Sequence, residues 1–318
     1  MNLKENILAE LLSSEGEYYS GGTLAKKFNV SRTAIWKIIE QLKQEGCKIE
    51  AIPHKGYLLR KKPDLFSQKY MLDLLKNCQT NWQIHHFETL DSTNRVAKEL
   101  AGQNAPSGTV VIADFQTAGR GRMGKNFYSP KGGLYLSIIE KLNLPISDMM
   151  GVTACTATAV FLALKQFGIT SQIKWVNDLF LNQKKICGIL SEGSFNAELL
   201  KMDYLVIGIG INLHADKDRP EELNSIITDL ETETGKYIYK YDLAAAVLKN
   251  LEIMLAGISE HSYLKIYTEN SYTLGHKILT DDGRTGIAIG FSQDAGLIIR
   301  LDDNTETILR TGSAKIID

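Results

Sequence analysis

The sequence is short of several things, and each shortage closes off a class of function. It has no surplus of charge: 36 basic against 37 acidic side chains leave a formal −1. The chain as a whole is therefore no polyelectrolyte, and any nucleic-acid site must be a local patch. Cysteine is scarce. Cys47, Cys78, Cys155 and Cys187 stand far apart, with no CxxC pair and no zinc-type spacing to histidine, so they read as reduced thiols of a cytoplasmic protein. Long apolar runs are missing as well. The uncharged stretch Met149 to Leu164 contains several threonines and falls short of the roughly 20 apolar residues that span a bilayer, so a buried helix and no membrane association are expected. The opening residues Met1-Asn2-Leu3-Lys4-Glu5 lack the apolar core of a signal peptide. The glycine-spaced stretch Gly208-Ile209-Gly210-Ile211 is not GxGxxG and no helix is expected right after it, which disfavours a Rossmann nucleotide site.

What is present is globular: 318 residues, 44% of them hydrophobic and 23% charged. At about 100–200 residues per domain, two or three domains are expected. Leu3, Ile7, Leu8, Leu11 and Leu12 share a helical face. A short helix over Ser20 to Phe28 follows, then a turn at Asn29-Val30 and a second helix, with Ser31 placed to cap it and Ile35, Ile38, Ile39 and Leu42 inward. Two helices joined by a tight turn form the helix-turn-helix pattern. Ser31, Arg32, Thr33, Trp36 and Lys37, at the start of the second helix, could reach phosphates and base edges in a major groove. Lys48 to Leu59 reads as a two-stranded wing whose turn, Pro53-His54-Lys55-Gly56, puts Lys55 at a basic tip. The alternative is a packing or dimerisation module with solvated lysines. Arg60-Lys61-Lys62-Pro63 is a plausible boundary.

Beyond it, strands and helices alternate with runs of successive strands, which indicates an α/β or α+β class. Helices are expected at Phe66 to Cys78, Asp91 to Leu100, Asp148 to Phe167 and Asp242 to Tyr263, the last capped by Asp242; residues 213 to 241 read as loop. Four motifs stand out. Asp91-Ser92-Thr93-Asn94 is an ordinary N-cap or a set of ligand-facing hydroxyl and amide groups. Gln116 to Gly124 contains Gly119-Arg120-Gly121-Arg122-Met123-Gly124: glycines that can take positive φ and approach a ligand, and guanidinium forks suited to carboxylate or phosphate. Lys174-Trp175-Val176-Asn177-Asp178 ends a strand and leads through a turn at Asn182-Gln183 to Lys185-Ile186-Cys187-Gly188. There a lysine pair is solvated, or Lys185 serves a ligand beside Gly188 while Asn177 and Asp178 bind a nucleotide or cation. Gly208-Ile209-Gly210-Ile211-Asn212 is a strand with one bare face, against which a planar ligand could lie. The last fifty residues are short strands separated by Asp/Gly turns, the pattern of a small antiparallel barrel.

Taken in this order, the motifs resemble those of the bifunctional biotin protein ligases that also repress biotin genes. Departures from the family pattern are Val176 where proline is frequent, Lys125 where arginine is, and Phe127 where tryptophan is. The resemblance implies a multidomain α+β protein: a winged helix-turn-helix over 1–62, a class II synthetase-like mixed sheet with helices over 63–270, and an SH3-like barrel over 271–318. It implies that biotin and ATP give biotinyl-5′-AMP, and that biotin then passes to a lysine of the biotin carboxyl carrier protein of acetyl-CoA carboxylase, or of other biotin-dependent carboxylases. It also implies a ligand-promoted homodimer that binds operator DNA.

On that resemblance Lys185 bridges the biotin carboxylate and the α-phosphate, while Arg120, Arg122 and the amides of Gly119 and Gly121 hold the adenylate. Ser92, Thr93, Asn94, Gln116 and Gly188 serve biotin. Lys125, Phe127, Asn177, Asp178 and Asn212 serve the nucleotide, with Mg²⁺ held partly by phosphate oxygens and no separate metal site. Joining two anions requires fixed positive charge where negative charge accumulates, which these residues can supply. The rivals are a lipoate–protein ligase, a sensor that has lost catalysis, and a ligase without DNA binding.

Overall fold

A computed structural model describes residues 3–14, 16–142, 149–196 and 201–318. It divides into two compact units, Met1–Asn77 and Cys78–Asp318. The first begins with α1 (Leu3–Ser13), α2 (Gly21–Lys27) and α3 (Arg32–Gln44). Ser20 and Ser31 cap the second and third helices, accepting from Gly22 N–H and Ala34 N–H. Asn29 makes the turn between them at φ 52°. Ile35, Ile39 and Leu42 are wholly buried, each worth about 1.5–3 kcal/mol over an exposed position. The wing is β1 (Lys48–Ile52) paired antiparallel with β2 (Gly56–Lys61). The unit closes with α4 (Gln68–Leu75), capped by Ser67 and packed on α1. The helix expected from Phe66 to Cys78 is thus shorter at both ends.

The second unit is built on a seven-stranded mixed sheet. Its elements in chain order are β3 (Gln83–Leu90), α5 (Thr93–Gly102), β4 (Thr109–Gln116), β5 (Leu134–Glu140), α6 (Met149–Gln166), β6 (Gln172–Lys174), β7 (Asp178–Leu181), β8 (Lys184–Asn196) and β9 (Lys201–Ile211). The spatial order is β3-β4-β5-β9-β8-β7-β6, with only the β3–β4 pairing parallel. Every residue of β5 is buried, so both faces of the sheet are covered. α5 packs Ala97 and Ala101 against Val111, Ile139 and Val206. β3 has no counterpart in the sequence reading, because Gln83, His85, Glu88 and Thr89 are exposed along a sheet edge and break any apolar run. Asp148, the expected start of the long apolar helix, lies outside the described residues.

The chain continues through α7 (Leu230–Thr234), α8 (Lys240–Ala256) and α9 (Tyr263–Glu269). Three expectations are corrected here. Residues 213–241 contain a helix, with Asp229 as its cap. The helix expected to start at Asp242 starts at Lys240 with Tyr239 at the N-cap, so Asp242 sits inside the first turn, where a carboxylate favours the helix dipole without capping it. It also ends before Gly257 rather than at Tyr263, which opens α9. The terminal strands β10 (Lys277–Thr280), β11 (Thr285–Phe291), β12 (Leu297–Leu301), β13 (Glu306–Leu309) and β14 (Ala314–Ile316) form one antiparallel sheet, ordered β13-β12-β11-β10-β14. Trp175 is buried and its indole N–H donates to Ala295 O at 3.0 Å, tying the large sheet to the small one.

Candidate active site

Four stretches of the second unit border one cavity of about 690 Å³. The first is the start of α5. Ser92 occupies the N-cap position but makes no side-chain cap. The Thr93 N–H instead donates to Gln116 Oε1 at 2.8 Å, and Gln116 Nε2 donates to Ser129 Oγ at 2.9 Å. Asn94 Nδ2 donates to Glu192 Oε2 at 2.8 Å and to Leu190 O at 3.3 Å, while its Oδ1 accepts from Ser137 Oγ at 2.6 Å. The hydroxyls of Ser137 and Thr93 are 2.7 Å apart. Burial works to raise the Glu192 carboxyl, but hydrogen bonds from Lys98 and Asn94 outweigh it and hold its pKa below the usual carboxylate value.

The second stretch is a small hairpin. Gly121 N–H donates to Lys125 O at 2.7 Å and Phe127 N–H to Gly119 O at 2.9 Å. Positive φ, expected of three glycines, occurs only at Gly124 and at Met123 on the tip. Gly119 and Gly121 serve the hairpin itself: a Cβ on Gly119 would lie 2.4 Å from Phe127 O, and one on Gly121 3.2 Å from Lys125 O. Arg122 is half-buried and uses its fork within the protein, Nη1 to Asn177 Oδ1 at 3.1 Å and Nη2 to Gly312 O at 3.0 Å. Arg120 and Lys125 are exposed at the rim.

The remaining two stretches are the β7–β8 hairpin and β9. Asn182 and Gln183, at φ 48° and 65°, make the two-residue turn whose twist matches the strands. The Lys185 ammonium lies 2.7 Å from Asp178 Oδ1 and 5.7 Å from the Phe127 ring centre. The Lys185 backbone N–H donates to Ile226 O and its carbonyl accepts from Thr228 N–H, both at 3.0 Å, so the 223–230 segment forms a wall beside it. Asn212 Nδ2 spends itself on that wall, donating to Thr228 O at 2.9 Å. The bare face of β9 carries side chains of the protein: a Cβ on Gly208 would lie 2.1 Å from Asn94 Oδ1, and one on Gly210 2.5 Å from Phe127 Cε1. A planar group, the Phe127 ring, does lie against Gly210.

Every expected biotin- or nucleotide-side residue borders the cavity except Gly119, which is buried within its hairpin. Arg122 and Lys185 share it, near Asp178. Sequence reasoning did not single out Ser129, Ser137 or Glu192, which lie behind the lining residues, nor Leu223, Ile226, Ile227, Gly312 and Ser313 on its walls. Lys174 was seen only as part of a motif, yet it borders the cavity 5.0 Å from the Phe180 ring centre, where burial lowers its pKa and Asp178 partly opposes the shift. Trp175, at the centre of the same motif, is no part of the lining. In the first unit Arg32, Thr33, Lys37 and Lys55 are exposed, Trp36 is 53% exposed, and the Ser31 hydroxyl oxygen is engaged as the cap of α3.

Comparison with known proteins accounts for both units. The Biotin/lipoate A/B protein ligase family matches residues 86–212 and an HTH domain matches 4–58. The bifunctional ligase/repressor BirA of Bacillus subtilis is 36% identical over 95% of both chains. The chain belongs to the biotin protein ligase family, in its bifunctional ligase/repressor form. BirA of Escherichia coli is 29% identical over 92% of this chain and 91% of its own. Among solved structures, the biotin protein ligase of Aquifex aeolicus in complex with biotin and ATP matches with a TM-score of 0.62 and 28% identity, over 74% of this chain and 98% of that one. In this ligase/repressor the described part of the cavity lies wholly within the ligase unit. No described helix is long and apolar enough to cross a membrane.

Proposed function

We propose that the chain joins biotin to ATP as biotinyl-5′-AMP, passes the biotinyl group to a lysine of a biotin carboxyl carrier protein, and represses biotin genes through its winged helix. The observation that carries this reading is the shared cavity, bordered both by Arg122 and Lys185 and by Ser92, Thr93, Asn94 and Gln116. The biotin ring system would lie against the polar lining and its carboxylate would reach toward Lys185; the room that Gly188 was expected to leave for biotin is taken by the Phe127 ring and the Lys185 side chain, 2.9 and 3.0 Å from where a Cβ would stand. That ammonium would exchange Asp178 for the carboxylate and α-phosphate as charge develops on the phosphoryl oxygens, which is where a fixed cation lowers the barrier. Arg120 and Lys125 at the rim, with Arg122, would hold the adenylate and the departing pyrophosphate. Phe127, Asn177 and Asn212 would border the nucleotide.

Magnesium fits this arrangement in a limited way. Among the described residues no group of three or more His, Cys, Asp or Glu could hold a metal. Mg²⁺ is commonly bound by one or two carboxylates plus substrate phosphates, and Asp178, with Asn177 next to it, offers that. The ion would draw charge from the phosphoryl oxygens. The terminal strands are proposed to curl into an SH3-like barrel, with functional boundaries near 1–62, 63–270 and 271–318. The expected setting is the cytoplasm.

Repression would follow ligand. An adenylate that orders the 119–127 hairpin and the 223–230 wall has already met the entropy cost a partner subunit would otherwise meet, so a homodimer competent for operator DNA forms more readily. Two assays test the reading. Carrier protein should be modified with biotin and not with lipoate, and operator affinity in a gel-shift titration should rise when biotin and ATP are supplied together. Lipoate transfer would make this a lipoate ligase, and a gel shift indifferent to both ligands would remove the coupling.

A further inference from the structure

The hydrogen-bonded chain behind the cavity has a direction. Asn94 Nδ2 faces the Glu192 carboxylate and the Leu190 carbonyl, both of which only accept. The amide nitrogen must therefore point there and the oxygen toward Ser137. An amide oxygen also only accepts, so the 2.6 Å contact to Ser137 Oγ takes the one proton that Ser137 carries. Ser137 Oγ then has only lone pairs left for Thr93 Oγ1, and two hydroxyl oxygens 2.7 Å apart need a proton between them. It must come from Thr93. The competing acceptor for that proton, Gln116 Oε1, is farther away at 3.1 Å and already accepts from the Thr93 N–H.

We propose that Glu192, Asn94 and Ser137 form a polarising relay that turns the Thr93 hydroxyl into a pure acceptor at the cavity wall, selecting a ligand that presents an N–H donor. With its proton committed inward, Thr93 Oγ1 offers lone pairs to the cavity it borders. Ser137 is wholly buried and Glu192 does not line the cavity, so both are positioning residues that never touch ligand. Gly208 belongs to the same device. It is the cross-strand partner of Ser137, and any side chain there would strike Asn94 Oδ1 and break the relay at its middle. Lys98, paired with Glu192, keeps the carboxylate end charged.

The inference rests on the biotin reading, since the two ureido nitrogens of biotin carry the N–H donors the relay would recognise, whereas lipoate has none on its ring. It goes further by naming the residues that set the sign of recognition. A site built to accept a hydrogen bond rejects an isostere that offers a lone pair in place of the proton, because two acceptors then face each other stripped of water and unpaired.

The test uses the full-length protein with biotin and its two carbamate isosteres, in each of which one ureido N–H is replaced by an ether oxygen at nearly constant shape. Dissociation constants are measured by calorimetry for the native chain, for Ser137→Ala and for Glu192→Ala. The native chain should bind one isostere at least tenfold more weakly than biotin. In Ser137→Ala the Thr93 proton is released and can turn toward the ligand, so that ratio should fall several-fold; in Glu192→Ala, where the Asn94 amide can flip, it should fall as well. Affinity for ATP should stay within about twofold in both variants, which a general loss of structure would not allow. A preference equal in all three proteins overturns the relay while leaving the ligase reading in place. A native chain that binds no biotin overturns the reading itself.

Discussion

Replacing Lys185 with methionine keeps most of the side chain's volume and removes its charge. The ammonium lies 2.7 Å from Asp178 Oδ1, and both side chains are 23% exposed. At that separation an effective dielectric of about 20 gives a gross attraction of roughly 6 kcal/mol, most of it cancelled by desolvation. What the substitution removes from the reaction is the difference between the ammonium paired with Asp178 and the ammonium facing the forming phosphoryl charge. Charge-assisted contacts of this kind contribute about 1.5–3 kcal/mol, and loss of a single oxyanion-type donor costs about 2.7–4 kcal/mol of barrier. Asp178 is also left uncompensated beside an incoming anion, which adds repulsion. The expected fall in adenylate formation is therefore on the order of 10²–10³-fold. Single-turnover formation of biotinyl-AMP, followed by rapid quench with thermal melting as a control, measures it. A Lys185→Met rate within about threefold of the native chain, with an unchanged fold, would refute the reasoning.

The other predictions concern packing, pH and DNA. Gly210→Ala places a methyl 2.5 Å from Phe127 Cε1, so the ring must leave the sheet; the KM for ATP should rise about tenfold or more with little change in biotin affinity, by steady-state kinetics, the fold-change standing for roughly 1.4 kcal/mol. Asp114 accepts from the buried Lys240 at 2.8 Å and from Tyr241 at 2.9 Å, and its other oxygen meets His86 at 3.0 Å. Burial alone would raise this carboxyl, but His86 and Lys240 hold it at about 2. Its folded value is depressed, so the stability it contributes is full above the unfolded value near 4 and disappears as pH falls toward 2. Asp114→Asn should accordingly lower stability by about 2 kcal/mol at pH 7 in chemical denaturation, with the difference shrinking across that window. In the head, Lys37→Ala and Lys55→Ala should each reduce the salt dependence of DNA binding by about one unit of slope and leave ligation unchanged.

How much of this was legible in the sequence depends on where each residue does its work. The head was plain because Ser31, Asn29 and the Ile35–Ile39–Leu42 stripe act locally, through capping, a left-handed turn and helical period. The cavity lining was visible as motifs, since Gly119 to Gly124 and Lys174 to Gly188 are contiguous runs of unusual residues. The direction of the glycines' service was not visible: whether a missing Cβ makes room for a ligand, for Phe127 or for Asn94 is decided by strands far apart in sequence. Ser137 and Glu192 gave no signal at all. Each is one polar residue of a strand with no motif around it, and only the pairing of β5, β9 and β8 brings them to Asn94. The edge strand β3 and the start of α8 were missed for want of an apolar stripe and because Tyr239, not an oxygen-bearing cap, precedes the helix.

The central claim is that this cavity activates the carboxylate of biotin on the α-phosphate of ATP. Isotope exchange tests it with the fewest added components: labelled pyrophosphate, ATP and the protein, with and without biotin, and no carrier protein. The account predicts label entering ATP only when biotin is present, with exchange lost in Lys185→Met. Exchange that ignores biotin, or that appears with lipoate in its place, would contradict it.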